Sequence, residues 1–207
     1  MKTRSVVPIL LITFLLVSCS PTTSDTTIPK PITFTGEGNA YLTVNKWRGS
    51  ALIHVEYFGT DSFNAWNLNE NERLLNFALS IVGSYSGTQI LDFSDSPSSQ
   101  TSVIEIYTIG NWSVEILPFE YGKRVNVPGV ITGKNNDVIF LDGDTPISIE
   151  VSLPEEGRYF AIEGYGEGGY IPLFDGMSPY QERLQLEKDL RMLVIQYIGD
   201  WEISIKD

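Results

Sequence analysis

Beyond about residue 32 the chain alternates apolar and polar positions in short runs punctuated by glycine, proline, asparagine and aspartate. Period-two alternation of this kind predicts half-buried strands rather than helices. Two stretches share one frame: Val103–Ile116 (VIEIYTIGNWSVEI) and Met192–Ile205 (MLVIQYIGDWEISI). In each, Ile-Gly-(Asn/Asp)-Trp supplies a turn and then a strand. Trp112, Val114 and Ile116 fall on one face of that strand, as do Trp201, Ile203 and Ile205. Earlier segments match as well. Gly36–Val44 lines up with Gly133–Leu141, and Ala51, Ile53, Val55 and Tyr57 alternate like Ile147, Ile149, Val151 and Leu153. Phe63 and Ala65 are taken to correspond to Tyr159 and Ala161, with intervals of 97, 96 and 89 residues along the chain. A repeat of this length predicts a duplicated domain rather than a solenoid. The expected fold is all-β: two tandem β-sandwich (jelly-roll-like) domains, residues 33–118 and 127–207, joined by a linker over 119–126 that contains Lys123 and Arg124.

Two segments could be read otherwise. Asn71–Val82 has the propensity of a helix, but its counterpart Tyr170–Phe174 carries Pro172 centrally, so strands are expected in both. Ser178-Pro179 with Gln181 and Glu182 has the form of a helix start. Tyr180–Leu186 nevertheless aligns with Tyr85–Leu91 and is expected as a strand, with a hairpin turn at Glu187-Lys188-Asp189.

The N-terminal residues follow a different pattern. Lys2 and Arg4 precede an apolar run from Val6 to Val17, interrupted by Pro8 and Thr13. The run is short for a membrane span and fits the apolar region of a signal peptide. It closes in Leu16-Val17-Ser18-Cys19, which resembles the lipobox of bacterial lipoproteins. The resemblance implies a signal peptide over residues 1–18, cleavage before Cys19 and a diacylglyceryl (and further acyl) anchor on that cysteine. Cys19 is also the chain's one cysteine, which excludes an intrachain disulfide. An ordinary secretory signal or an uncleaved anchor helix are the alternatives. Residues 19–32 are expected to form a tether, since nine of the twelve residues from Ser20 to Pro31 are Ser, Thr or Pro. In diderm lipoproteins an Asp after the lipidated Cys retains the protein at the inner membrane. Ser20 in its place implies the outer membrane in a diderm, or the outer face of the cell membrane in a monoderm.

Each repeat also resembles the pre-peptidase C-terminal sandwich modules of exported bacterial proteins. The resemblance rests on Gly83-Ser84-Tyr85-Ser86-Gly87 and Gly110-Asn111-Trp112 in the first half, and on Gly199-Asp200-Trp201 in the second, where Ser178–Glu182 departs from the central motif. Those modules are accessory or binding units, so the resemblance implies no catalytic residues.

Charge narrows the partners. The chain of 207 residues has 26 acidic and 14 basic side chains. Removing residues 1–18 takes Lys2 and Arg4 and no acid, leaving 12 basic against 26 acidic residues, net −14. Such a surface has no general affinity for nucleic acid or anionic lipid, so attachment to a membrane falls to the acyl chains. The expected partners are the membrane, through the anchor, and a cell-envelope glycan or protein; no nucleic acid and no cofactor is expected.

Candidate chemistry is sparse. With one histidine, His54, a His-based triad has a single possible centre, and alternation turns that residue away from Ile53 and Val55 with no Gly-x-Ser-x-Gly elbow in the chain. Acid pairs leave open a carboxylate-dependent glycoside hydrolase. Asp142, Asp144, Glu155 and Glu156 are calcium candidates, although Asp142–Pro146 is more simply a turn and no metal site is expected. Gly164–Tyr170 reads as a flexible surface loop. Of Trp47, Trp66, Trp112 and Trp201, the last two are expected in the cores. Trp47, in the polar turn Asn45–Gly49, is the expected exposed ligand contact. The reading is a membrane-anchored extracytoplasmic lipoprotein with a non-catalytic binding or structural role. The alternative is a glycan-acting hydrolase or a carbohydrate-binding accessory protein.

Overall fold

The computed structural model describes residues 27–186 and 189–207. The signal segment, Cys19, most of the tether, and Glu187 and Lys188 of the expected hairpin turn lie outside the described residues.

Among the described residues the regular structure is β, apart from single 3-10 turns at Pro97–Ser99 and Phe119–Tyr121. The first half contributes β1 (Ile32–Glu37), β2 (Ala40–Thr43), β3 (Ala51–Phe58), β4 (Ser62–Leu68), β5 (Leu74–Val82), β6 (Tyr85–Asp92), β7 (Val103–Tyr107) and β8 (Asn111–Leu117). The second contributes β9 (Lys123–Val127), β10 (Gly129–Lys134), β11 (Asp137–Gly143), β12 (Ser148–Leu153), β13 (Tyr159–Gly166), β14 (Gly169–Met177), β15 (Tyr180–Gln185), β16 (Met192–Gln196) and β17 (Asp200–Lys206). Both ambiguous segments are therefore strands. Pro172 sits at a register shift between β13 and β14, where the ladder can spare its missing N–H.

Two sandwiches result. The first faces sheet β1-β8-β3-β6 with sheet β2-β7-β4-β5; the second faces β10-β17-β12-β15 with β14-β13-β16-β11-β9. Moving each strand of the first half on by nine gives the strand order of the second, with β9 as an addition. Registers agree too: Ile53 pairs with Ile116 and Val55 with Val114, as Ile149 pairs with Ile205 and Val151 with Ile203. These residues are buried, and each sandwich has its own apolar core. The Ile-Gly-(Asn/Asp)-Trp turns carry the chain from one sheet of a sandwich to the other, from β7 to β8 and from β16 to β17.

Trp112 and Trp201 are core residues, 4% and 2% exposed. Each lies over a glycine of the neighbouring strand, Gly36 and Gly133, where any Cβ would collide with the indole. The indole nitrogens donate to Gly38 O at 2.9 Å and Asn135 O at 2.8 Å. Both acceptors sit in a left-handed turn, φ +72° and +62°, a conformation open to Gly and tolerated by Asn.

Three expectations need correction. Phe63 and Ala65 correspond to Phe160 and Ile162, not to Tyr159 and Ala161: β4 pairs Ala65 with Ile106, and β13 pairs Ile162 with Ile195. The stretch from Val151 to Phe160 is one residue longer than that from Val55 to Phe63, which displaces the frame and leaves Tyr159 exposed and Phe160 buried. The expected linker is instead partly structure. Lys123–Val127 is β9, running parallel to β11 at the sheet edge, with Val125 packed on the second core. Its charged residues face solvent, as suits an edge strand. Finally, Gly164–Tyr170 is the tip of the β13–β14 hairpin, whose ladder continues to Gly166 and Gly169.

The sandwiches pack on each other through a third apolar cluster. Leu52, with Ile90 and Leu117, lies on the outer face of the β3 sheet and meets Val138, Met192 and Val194 on the outer face of the β11–β16 sheet. Phe119, Phe140 and Tyr165 border the contact. Thr88 N donates to Asn136 O at 2.9 Å and Asn135 Nδ2 to Ser86 O at 3.0 Å, so the β10–β11 turn continues the edge of β6.

Candidate functional site

The outer face of sheet β2-β7-β4-β5 is the feature that packing does not explain. Strand register places Tyr41, Glu105 and Trp66 side by side in one row across β2, β7 and β4, with Tyr107 opposite Asn64 in the next row. Tyr41 is 57% exposed and Tyr107 47%. Trp66, half-buried, stacks on Tyr107 with ring centroids 5.0 Å apart and planes 19° from parallel. Its indole N–H donates to Glu105 Oε2 at 2.8 Å, which fixes both side chains.

Beside this stack lies an open pocket of about 580 Å³ lined by Tyr41, Trp66, Leu68, Glu72, Leu74 and Glu105. Tyr107 does not line it, so the pocket borders the side of the indole turned away from Tyr107. Glu72 reaches it from the β4–β5 turn with φ +57°, a conformation uncommon for a residue with a Cβ. Asn69 holds that turn: its Oδ1 accepts from Asn71 N and Arg73 N, its Nδ2 donates to Ser98 O, and its carbonyl accepts from Glu72 N. On the far side of Tyr107 a second depression, about 330 Å³, is lined by Asn39, Asp61, Ser62, Asn64, Tyr107, Thr108 and Ile109. Aromatic faces flanked by acceptors on an open surface can hold a ligand that brings C–H faces or positive charge together with hydrogen-bond donors.

In the second sandwich the matching row is Val138, Val194 and Glu163, with Gln196 in the place of Tyr107. There Val138 and Val194 are buried against Leu52, Ile90 and Leu117 of the first sandwich.

The sequence-nominated residues sit elsewhere. Trp47 is half-buried: its indole packs against the first core and donates to Ser50 O at 3.1 Å. Beside it Lys46 and Asp92 form an ion pair of 3.0 Å, almost wholly removed from solvent. Lys46 Nζ also lies 2.9–3.0 Å from Gln100 Oε1, Gly49 O and Trp47 O, while Asp92 accepts from Thr101 N and Oγ1. This network closes one end of the first sandwich. His54 Nδ1 lies 3.0 Å from Thr88 Oγ1, and its Nε2 lies 3.9 Å from Glu56 Oε1. Asp142 pairs with Arg124 at 2.7 Å and Glu155 with Arg158 at 2.8 Å. Among the described residues no three His, Cys, Asp or Glu side chains gather as a metal site.

Two titratable groups at the boundary between the sandwiches are shifted. Burial raises Asp137 above the usual carboxylate range against the pull of Lys123, 3.3 Å away. Burial and the neighbouring Glu163 push Tyr165 up to about 12.

Trp66 was missed as a site residue, yet the sequence carries its signal. In Phe63-Asn64-Ala65-Trp66 the Trp shares parity with Asn64, not with the apolar Phe63 and Ala65. A tryptophan on the polar parity of a strand points out of the core.

No family model and no curated protein matches the chain. Solved structures similar to it include HutD from Pseudomonas fluorescens SBW25 (9% identity, 86% of this chain and 78% of that one, TM-score 0.27). The PBSX exported protein XepA is similar at 8% identity over 84% of this chain and 81% of that one, TM-score 0.27. A chain of Sulfolobus Turreted Icosahedral Virus is similar at 9% identity over 86% and 90%, TM-score 0.26. Likeness of this degree carries neither fold nor function across.

Proposed function

We propose that the chain is a lipid-anchored extracytoplasmic protein, attached through Cys19, with a non-catalytic binding role, and that the outer face of the β2-β7-β4-β5 sheet holds a cell-envelope glycan. The carrying observation is the uncovered row Tyr41–Glu105–Trp66, whose counterpart in the second sandwich is occupied by packing. Stacked rings that could have been buried, but stand open, suit a sugar's apolar face. The ordered signal elements ending at Cys19 support the anchor, and Thr27–Pro31, the described end of the tether, has no regular secondary structure. The one-to-one strand order supports descent of the two sandwiches from a duplicated domain.

Co-sedimentation with insoluble cell-wall glycan tests the binding role. The protein should pellet with the glycan, and Tyr41→Ala should remain soluble at an unchanged urea midpoint. Equal pelleting of the two would contradict the assignment. Fatty-acid labelling that is lost in Cys19→Ala is expected for the anchor; equal labelling would contradict it.

A further inference from the structure

We infer that the pocket beside Trp66 selects glycans that carry free, protonated amino groups over their N-acetylated counterparts. The inference rests on the glycan reading above and specifies which glycan the face prefers.

The chemistry of the lining carries the argument. Glu72 and Glu105 both border the pocket, and among the described residues neither is paired with a Lys or Arg. The indole N–H, the pocket's one side-chain N–H, is already given to Glu105 Oε2. What remains is almost entirely acceptor: carboxylate oxygens, beside the Tyr41 hydroxyl. A neutral N-acetyl group would bring a carbonyl in need of a donor. An ammonium brings three donors, no acceptor and a positive charge.

The rings favour the same ligand. An indole face and a tyrosine attract a cation electrostatically, and carboxylates beside them add to that attraction. Because Trp66 donates to Glu105 and Asn69 holds the turn that carries Glu72, the two acids are positioned before any ligand arrives, which limits the ordering cost of binding.

The surface also fits a chain of sugars better than an isolated cationic side chain. The Trp66–Tyr107 stack separates two depressions, one bordered by Trp66 and the other by Tyr107. The second is lined by the neutral polar residues Asn39, Ser62, Asn64 and Thr108 together with Asp61. A repeating ligand can lay one unit on each side of the stack and its apolar ring faces along it.

The test is calorimetric titration of the lipidated protein in detergent with two probes, glucosamine oligosaccharides and N-acetylglucosamine oligosaccharides of equal length. At about pH 6 and low salt the free amine should bind at least about tenfold more tightly, and the advantage should shrink as salt is raised. Glu72→Gln and Glu105→Gln should each remove most of the advantage while leaving binding of the acetylated probe in place. Glu156→Gln, an exposed acid on the second sandwich, should leave the advantage intact. Equal affinities for the two probes, or an advantage unmoved by both pocket substitutions, would overturn the amino-sugar inference while leaving the glycan reading standing. So would an equal loss in Glu156→Gln, which would reveal bulk charge attraction, or equal competition by a lysine oligopeptide. Failure of both probes to bind would instead overturn the glycan reading itself.

Discussion

The two sandwiches share a strand order and a Trp-on-Gly contact, yet use their outer faces in different ways. In the first, Leu52, Ile90 and Leu117 make the β3 sheet's outer face apolar, and the second sandwich covers it. At the matching positions of the second lie Ser148, Gln185 and Lys206, which offer no such surface. On the opposite sheets the relation reverses: Val138 and Val194 are buried where Tyr41 is exposed and Glu105 half-buried. Inward-facing residues thus set the fold, while outward-facing ones decide what each sheet meets. A head-to-tail contact of this kind would extend without limit if both sandwiches offered both apolar faces. The polar face of the second offers no further contact of this kind, and the aromatic face of the first stays uncovered among the described residues.

The largest test of the shared part of this comparison is at the core tryptophans. Trp112→Ala and Trp201→Ala should each cost roughly 3–5 kcal/mol, seen as lowered urea midpoints. A variant that unfolds at the wild-type midpoint would show that the two positions are not equivalent. Among the described residues of the second sandwich, Gly143 and Leu190 stand in the places of Lys46 and Thr101 of the first sandwich's end network. Asp92→Ala leaves Lys46 charged and buried, at a cost of about 3–5 kcal/mol; replacing both by apolar residues should restore much of that loss. A double variant no more stable than the single would contradict the ion-pair account.

At the boundary, Leu52→Ala should cost about 2–4 kcal/mol and uncouple the sandwiches, so that denaturation splits into two transitions. A single sharp transition, unmoved from wild type, would break the comparison at its centre. The smallest effect belongs to Asp137. Its folded-state pKa is raised, so its favourable contribution is complete below the unfolded value and is lost as pH rises through the folded one. Asp137→Asn should therefore be more stable than wild type at pH 7, with the two converging as pH falls below the unfolded carboxylate value. A variant less stable than wild type at neutral pH would mean that the pairing with Lys123 outweighs burial.

Much of the fold was legible because the inner faces repeat with period two: Trp112, Val114 and Ile116 announce their strand, and Trp201, Ile203 and Ile205 repeat it. The frame slipped at Phe63 because Tyr159 and Phe160 are adjacent aromatics and local pattern alone does not choose between them; burial of Phe160 does. Lys123 and Arg124 concealed an edge strand, since edge strands carry the same charges as linkers. The site was less legible than the fold. Trp47 drew notice through its polar neighbours, but its indole is drawn onto the core by the contact with Ser50 O. Trp66 becomes informative only once register places it beside Tyr41, Glu105 and Tyr107, which come from distant parts of the chain.

The most direct measurement sets those two tryptophans side by side: glycan affinity and urea midpoint for Trp66→Ala and Trp47→Ala against wild type. If the open face of the first sandwich is the binding surface, Trp66→Ala loses at least about tenfold in affinity, the scale of one stacked ring, with its midpoint little changed. Trp47→Ala should then lower the midpoint and keep the affinity. Affinity retained in Trp66→Ala and lost in Trp47→Ala would place the ligand at the Lys46–Asp92 end of the sandwich and contradict the account.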